Sequence, residues 1–280
     1  MAAQGRHRGL PLQQQEEEEF LANQFINFTI DERVATVTIS NPPANVLTTP
    51  LMSELDKVMG ELAGNDDIKA IIITGSGSLF VAGADIKEIA SISSSQQGEA
   101  LARGGQAVFD KIEQLKKPVI AAITGFCLGG GMELAMSCHM RIAGDRARMG
   151  QPEINLGIIP GFGGTQRLSR LVGKPKALEL ILTGDMVNAQ EAKALGLVNK
   201  VVPEGEVLKQ AQGLAKKIAS KGRKAIQAVL RAIQEGTQLQ PLSNGFALEA
   251  QLFGELCQTA DMKEGLSAFM EKRQPKFQDR

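Results

Sequence analysis

Tryptophan and tyrosine are absent from this 280-residue chain, so no phenol is available as acid, base or nucleophile. Histidine is nearly absent, with His7 and His139 the only two. Any Ser-His-Asp or Cys-His device would have to be built on His139. Cysteine is scarce and odd in number: Cys127, Cys138 and Cys257 form no CxxC pair. They read as free or buried thiols of a reducing compartment, not as a disulfide framework or a zinc site. His139 beside Cys138 makes no metal pair, because adjacent side chains on a helix or strand point apart. Net charge is missing too. The 31 basic and 31 acidic side chains cancel, which leaves no general pull toward nucleic acid or anionic lipid. The longest apolar runs, such as Val119–Ile123, fall far short of the ~18 residues a membrane span needs.

What is present describes an ordinary globular chain, 43% hydrophobic and 22% charged, long enough to bury roughly three quarters of its unfolded surface. Residues 1–19 read as a disordered tail, a polar tract without period that passes from Gln13–Gln15 to Glu16–Glu19. Its first fifteen residues are basic and acid-free, as in a mitochondrial transit peptide, but they contain no Ser and no amphipathic pattern. No secretory signal is visible.

Beyond Phe20 the periodicity begins. Val34–Ile39 alternates like a half-buried strand, and Thr49–Ala63 carries apolar residues at helical spacing. Ala70–Thr74 and Val119–Thr124 are short continuous apolar runs, expected as strands buried on both faces. Between them a helix is expected to end near Lys117, since Pro118 opens the next strand. Strands alternating with helices predict an α/β core with parallel pairing. From Val207 to about Lys272 only helical period remains, in a stretch rich in Ala, Leu, Lys and Gln. The expected division is a core over 20–205 and a helical region over 206–280.

Two segments place small residues at helix starts. Gly125–Cys138 follows a buried strand and contains three consecutive glycines, Gly129–Gly131. These cost backbone entropy and make sense where backbone must approach something closely or leave N–H groups free. Tight helix packing is the plainer explanation, and no GxxxxGK[ST] or GxGxxG phosphate motif fits. Phe80–Glu88 is similar, with Ala82, Gly83 and Ala84 before a helix that Asp85 can cap. If the two starts converge, their amides form a two-donor oxyanion hole, worth ~3 kcal/mol per donor. Glu133 and Glu153 sit in apolar company, where desolvation would raise their pKa toward the range useful for proton transfer. Taken singly, each reads more readily as a solvated glutamate, or as one paired with Arg141 or Arg146, than as a catalyst.

Ala82–Lys87, Gly129–Leu134, Pro152–Leu168, Thr183–Asp185, Ala189–Ala192, Gly196–Val198 and Phe269–Arg273 together resemble the crotonase (enoyl-CoA hydratase/isomerase) family, over about Phe25–Phe277. The resemblance implies a spiral of ββα units with a C-terminal helical trimerisation region, assembled as a homotrimer or a hexamer (dimer of trimers). It implies an oxyanion hole from the N–H groups of Ala84 and Gly130, binding the thioester carbonyl of an acyl-CoA. Glu133 would act on the water attacking Cβ and Glu153 would deliver a proton to Cα. Isomerases of the family commonly keep only the second acid, so the pair favours a 2-enoyl-CoA hydratase. Acyl-CoA contacts are implied for Ala44, Val46, Ala82, Ala84, Asp85, Ile86, Lys87 and Gly130. Phe269 and Lys272 would reach the nucleotide end from a neighbouring subunit, Lys272 reading equally as a solvated tail residue. Asn41–Val46 departs from the basic Arg-Pro-Lys form of short-chain hydratases and looks more like the hydratase part of multifunctional fatty-acid oxidation proteins. No separate cofactor and no metal are implied, since the substrate itself carries coenzyme A. The expected place is the cytoplasm, with the mitochondrial matrix as the alternative. Competing readings are a Δ3-Δ2-enoyl-CoA isomerase, a hydratase of cyclic or branched acyl-CoA, and an RNA-binding homologue. Zero net charge and only short basic clusters, such as Lys221–Lys224, weigh against RNA.

Overall fold

A computed structural model describes residues 24–280, so the tail expected over residues 1–19 lies outside the described residues. Strand β1 (Ile26–Asp31) turns at Glu32–Arg33 and pairs antiparallel with the alternating strand β2 (Val34–Ile39). Both turn residues have positive φ, as a two-residue hairpin loop demands. Helix α1 (Thr49–Gly64) follows, its first turn capped by the Thr48 side chain, and buries Leu51, Leu55, Val58 and Leu62. Strand β3 (Ala70–Gly75) lies parallel to β2. The short helix α2 (Ile86–Ala90) and the long helix α3 (Ser95–Glu113) lead to β4 (Val119–Ile123), parallel to β3.

The chain then makes β5 (Phe126–Leu128), helix α4 (Gly130–Ser137), β6 (Met140–Gly144), β7 (Arg148–Gly150) and a 3₁₀ turn, Pro152–Leu156. Helices α5 (Gly164–Val172) and α6 (Lys174–Thr183), strand β8 (Met186–Asn188), helix α7 (Ala189–Ala194) and strand β9 (Lys200–Val202) complete this half. The main sheet has the order β1-β2-β3-β4-β6-β9, parallel from β2 onward, and a small second sheet has the order β5-β7-β8. After it come only helices: α8 (Val207–Ala219), α9 (Arg223–Gln234), α10 (Leu242–Leu256) and α11 (Ala260–Met270).

The continuous apolar runs are explained by two cores. Ile71 and Ile73 point into the layer under α1 and α3, while Ile72, Ile120 and Ala122 point to the other face, against Ala211 and Ala215 of α8. Each fully buried Ile contributes roughly 1.5–3 kcal/mol, so both faces must be covered. Helix α3 ends at Glu113, four residues before the expected Lys117. The reason is that Lys117 turns inward, donating to the carbonyls of Leu62 (2.7 Å) and Asn65 (2.6 Å) at the end of α1.

Candidate active site

Three separate segments meet at the N-terminus of α4. Gly129 makes the turn into the helix with φ 49°, a left-handed conformation that only glycine enters without penalty. A Cβ on Gly129 would stand 2.8 Å from Glu153 Oε1. One on Gly130 would stand 3.3 Å from Ala84 N, 3.2 Å from Leu47 Cδ1 and 3.5 Å from Phe162 Cδ2. The Ala84 and Gly130 amides therefore lie side by side, with Glu153 close to the turn. Among the described residues neither amide N–H donates to a protein acceptor. Two free donors at one point, one of them on a helix N-terminus, suit a developing oxyanion.

The Ala84 amide is held in place by a neighbouring loop. Ala82 N donates to Ala44 O (3.1 Å), Leu47 N to Gly83 O (2.8 Å) and Asp85 N to Leu47 O (3.0 Å). Asn45 anchors that loop from within. Its buried amide donates to the carbonyls of Ser76 (3.0 Å), Leu79 (3.2 Å) and Phe80 (3.1 Å). Asp85 caps α2 through Lys87 N at 2.7 Å, and Ile86 and Lys87 face solvent. Thus Ala44 and Val46 lie on one loop and Ala82, Ala84 and Asp85 on the next, near Gly130, with Ile86 and Lys87 opening α2. Phe269 and Lys272 stand apart: Phe269 is 83% exposed on α11, and neither residue lines the cavity beside Ala84.

Glu133 sits one turn into α4 and is 1% exposed. Its Oε1 accepts the N–H groups of Gly164 (2.7 Å) and Phe162 (2.8 Å). Burial pushes its pKa up to about 7, helped by the Glu153 charge and opposed by those two bonds and by Arg167. Glu153, in the 3₁₀ turn, is likewise pushed up by burial to about 7, against the pull of its own backbone N–H. The fully buried Gln151 faces it, and with the amide nitrogen turned toward the carboxylate donates to Oε1 at 3.0 Å and Oε2 at 3.2 Å. Neither arginine weighed from the sequence is a partner. Arg141 spends its guanidinium on the carbonyls of Leu197, Ala135 and Cys138, and Arg146 is exposed. The cation near Glu133 is Arg167, which the sequence reading missed together with Gln151, Asn45 and the Phe162 and Gly164 donors. The run Gly161–Arg167 was the available signal.

His139 is elsewhere. Its Nδ1 accepts from Val119 N (3.0 Å), Nε2 lies 2.8 Å from the Gln234 amide, and burial lowers its pKa to about 4. It is a neutral strut between β4 and α9. Two concavities bear on the site. One, of about 550 Å³, opens at Ala84 and Phe162 and is walled by Leu47, Met52, Leu101 and Val108. The other, about 2070 Å³, runs beneath α9–α11, and neither carboxylate nor either free amide lines it.

The raised Glu133 carries a stability consequence. The native state holds its proton to a higher pH than the unfolded chain, whose value is near 4.5. Stability is therefore lost as pH rises from about 4.5 through about 7, and the full cost of the buried charge is present above that. Glu133→Gln, whose oxygen can accept the same two N–H groups, should be more stable than wild type at pH 8 by on the order of 3 kcal/mol. Urea denaturation at pH 8 and pH 5 tests this, with most of the gain gone at pH 5. An equal difference at both pH values would contradict it.

The enoyl-CoA hydratase/isomerase family model matches residues 29–280. A short-chain-enoyl-CoA hydratase of Clostridium acetobutylicum is 47% identical over 243 residues, 86% of this chain and 92% of that protein. A probable enoyl-CoA hydratase of Bacillus subtilis is 45% identical over 253 residues, 90% of this chain and 98% of that protein. The crystal structure of an enoyl-CoA hydratase from Bacillus anthracis superposes with a TM-score of 0.88 at 40% identity, covering 92% of this chain and all of that one.

Proposed function

This chain belongs to the enoyl-CoA hydratase/isomerase (crotonase) family and is an enoyl-CoA hydratase, and we propose that the cluster around Gly130 is where it adds water to a 2-enoyl thioester. The Ala84 and Gly130 amides bind the thioester oxygen. Glu133 takes a proton from water as its oxygen bonds to Cβ, the π electrons move onto the carbonyl oxygen as an enolate, and Glu153 gives its proton to Cα. The product is a 3-hydroxyacyl-CoA, and the same steps reversed dehydrate it. Charge grows on the carbonyl oxygen only as the reaction proceeds, so the two amides stabilise the transition state more than the substrate. The observation that carries this reading is the convergence of two unpartnered N–H groups and two carboxyls of raised pKa on one point.

The surroundings support a placement for the rest of the substrate. The acyl chain enters the 550 Å³ cavity between α1 and α3, and coenzyme A lies along Ala82–Lys87 with Ala44 and Val46 opposite. The substrate supplies coenzyme A, and the reaction as written uses no other group. Phe269 and Lys272 meet the nucleotide end from a neighbouring subunit. Their exposure supports that, as do the exposed Phe246, Phe253, Val229 and Ile233 of α9 and α10. On this reading the core over 20–205 carries the chemistry, and 206–280 assembles a homotrimer or a dimer of trimers. No described helix is long and apolar enough to cross a membrane. The free cysteines, two of them buried, support a reducing compartment, the cytoplasm or the mitochondrial matrix.

Loss of conjugated-thioester absorbance, followed across acyl lengths from crotonyl-CoA upward, tests the proposal. A protein without Trp or Tyr is convenient near that band. The expected result is 3-hydroxyacyl-CoA. Migration of the double bond of a 3-enoyl-CoA with no hydroxylated product would instead make the chain an isomerase.

A further inference from the structure

We propose that Arg167 is a positioning residue for Glu133, holding from behind the loop whose two amides fix the carboxylate. The inference rests on the reading of Glu133 as a proton-transferring group. Arg167 lies on α5 and is 8% exposed. Its Nη1 donates to the Phe162 carbonyl at 2.9 Å, its Nη2 to Asp110 Oδ1 at 2.5 Å and its Nε to Glu113 Oε2 at 2.8 Å. The same Phe162 donates its N–H to Glu133. One residue is thus gripped by the cation on its carbonyl side and by the carboxylate on its amide side.

The loop is shaped around the guanidinium. Gly163 has φ 106°, and a Cβ there would overlap Arg167 Nη1, so the cation occupies the space a side chain would need. Gly164, next along, gives the second N–H to Glu133. The Phe162 ring is fixed as well, edge-on to Phe109 with centroids 5.8 Å apart. It presses on Gly105, where a Cβ would overlap the ring.

A purely structural staple between α3 and α5 would be satisfied by Asp110 and Glu113, both of which are substantially exposed. Burying the cation is costly, and the third bond spends it on the peptide that carries the Glu133 donor. The charges facing Glu133 are few: Glu153 from the 3₁₀ turn and Arg167 from α5, with Asp110 and Glu113 of α3 behind the latter. Helix α4 carries no other charge. Arg167 lowers the Glu133 pKa, so its charge and its grip can be separated by substitution.

The test compares kcat, KM and the pH profile of kcat for wild type, Arg167→Lys, Arg167→Met and Glu133→Gln, with folding checked by circular dichroism. Lysine keeps the charge but cannot bridge Phe162, Asp110 and Glu113 together. Arg167→Lys should lose about tenfold or more in kcat, with KM within about twofold and the acid limb near its wild-type position. Arg167→Met should lose more, with the acid limb moved to higher pH. If Arg167→Met does not fold, Arg167→Lys decides alone. A folded Arg167→Lys with wild-type kcat, or with kcat restored fully by raising substrate, overturns the proposal. Should Glu133→Gln itself turn over like wild type, the reading of the site falls first. If Glu133→Gln is inactive while Arg167→Lys is normal, only the positioning role is lost.

Discussion

Turnover of a 2-enoyl-CoA should fall by at least ~10²-fold in Glu153→Gln, with substrate binding within a few-fold of wild type, and Glu133→Gln should behave alike. Gln preserves the shape of both sites. At 133 its oxygen still accepts from Phe162 and Gly164, and at 153 it still meets Gln151. What is removed is the proton that each carboxyl takes or gives. If the thioester is held by backbone amides and loop contacts, as proposed, the loss belongs in kcat. Isothermal titration with a non-reacting acyl-CoA, beside steady-state rates, separates the two. Wild-type turnover in either variant would remove that residue from the reaction.

The pH profile sharpens the point. Both carboxyls are pushed up to about 7 by burial, and at Glu133 the Glu153 charge is one of the causes. Ionising one therefore makes ionising the other harder, and near neutral pH the pair holds about one proton between them. On the proposed mechanism one carboxyl is ionised while the other holds its proton, and because the two are coupled the two apparent pKa values of a bell-shaped profile belong to the pair. In each Gln variant the residual rate should keep a single limb.

How much of this was legible follows from the distances in sequence over which each feature is decided. Helix α1 and strands β2, β3 and β4 are set by period and burial within a few residues, and the sequence reading places them within a residue or two. The end of α3 was misplaced because Lys117 is turned inward by Leu62 and Asn65, partners more than fifty residues away. The small β5-β7-β8 sheet went unseen for a different reason, as three-residue strands carry no period. In the site, the apolar surroundings of Glu133 and Glu153 announced their raised pKa. Their partners did not: the donors to Glu133 come from 29 and 31 residues downstream. Arg141, close in sequence, is drawn instead to the carbonyls of Ala135 and Cys138 at the end of α4 and of Leu197 in the turn between α7 and β9. Charge proximity along the chain was a poor guide. The glycine-rich stretch Gly161-Phe162-Gly163-Gly164 before Arg167 was the better one.

The second large effect falls on a glycine inside a helix, where propensity alone gives the wrong sign. Gly131 lies in the first turn of α4, and Ala there would gain about 1 kcal/mol of helix propensity. Yet a Cβ on Gly131 would overlap the Val81 carbonyl oxygen and come within 2.7 Å of Val81 Cβ and 2.8 Å of the Val81 carbonyl carbon. These are mostly backbone atoms, and no rotamer relieves them. The Val81 carbonyl already accepts from Leu128 N at 3.1 Å, so the methyl group must push the segment leading to Ala84 away from the helix. That parts the Ala84 and Gly130 amides and tilts Glu133. Gly131→Ala should cost roughly 1–3 kcal/mol of stability and about 10²-fold or more in kcat through the misplaced hole. Gly213, exposed in α8 with nothing within 4 Å of its would-be Cβ, is the matched contrast. There the same substitution should stabilise by about 0.4–1 kcal/mol and leave turnover unchanged. Denaturant titration and initial rates on the two variants distinguish close approach from propensity, because a stabilised, active Gly131→Ala would mean that the two helix starts do not touch.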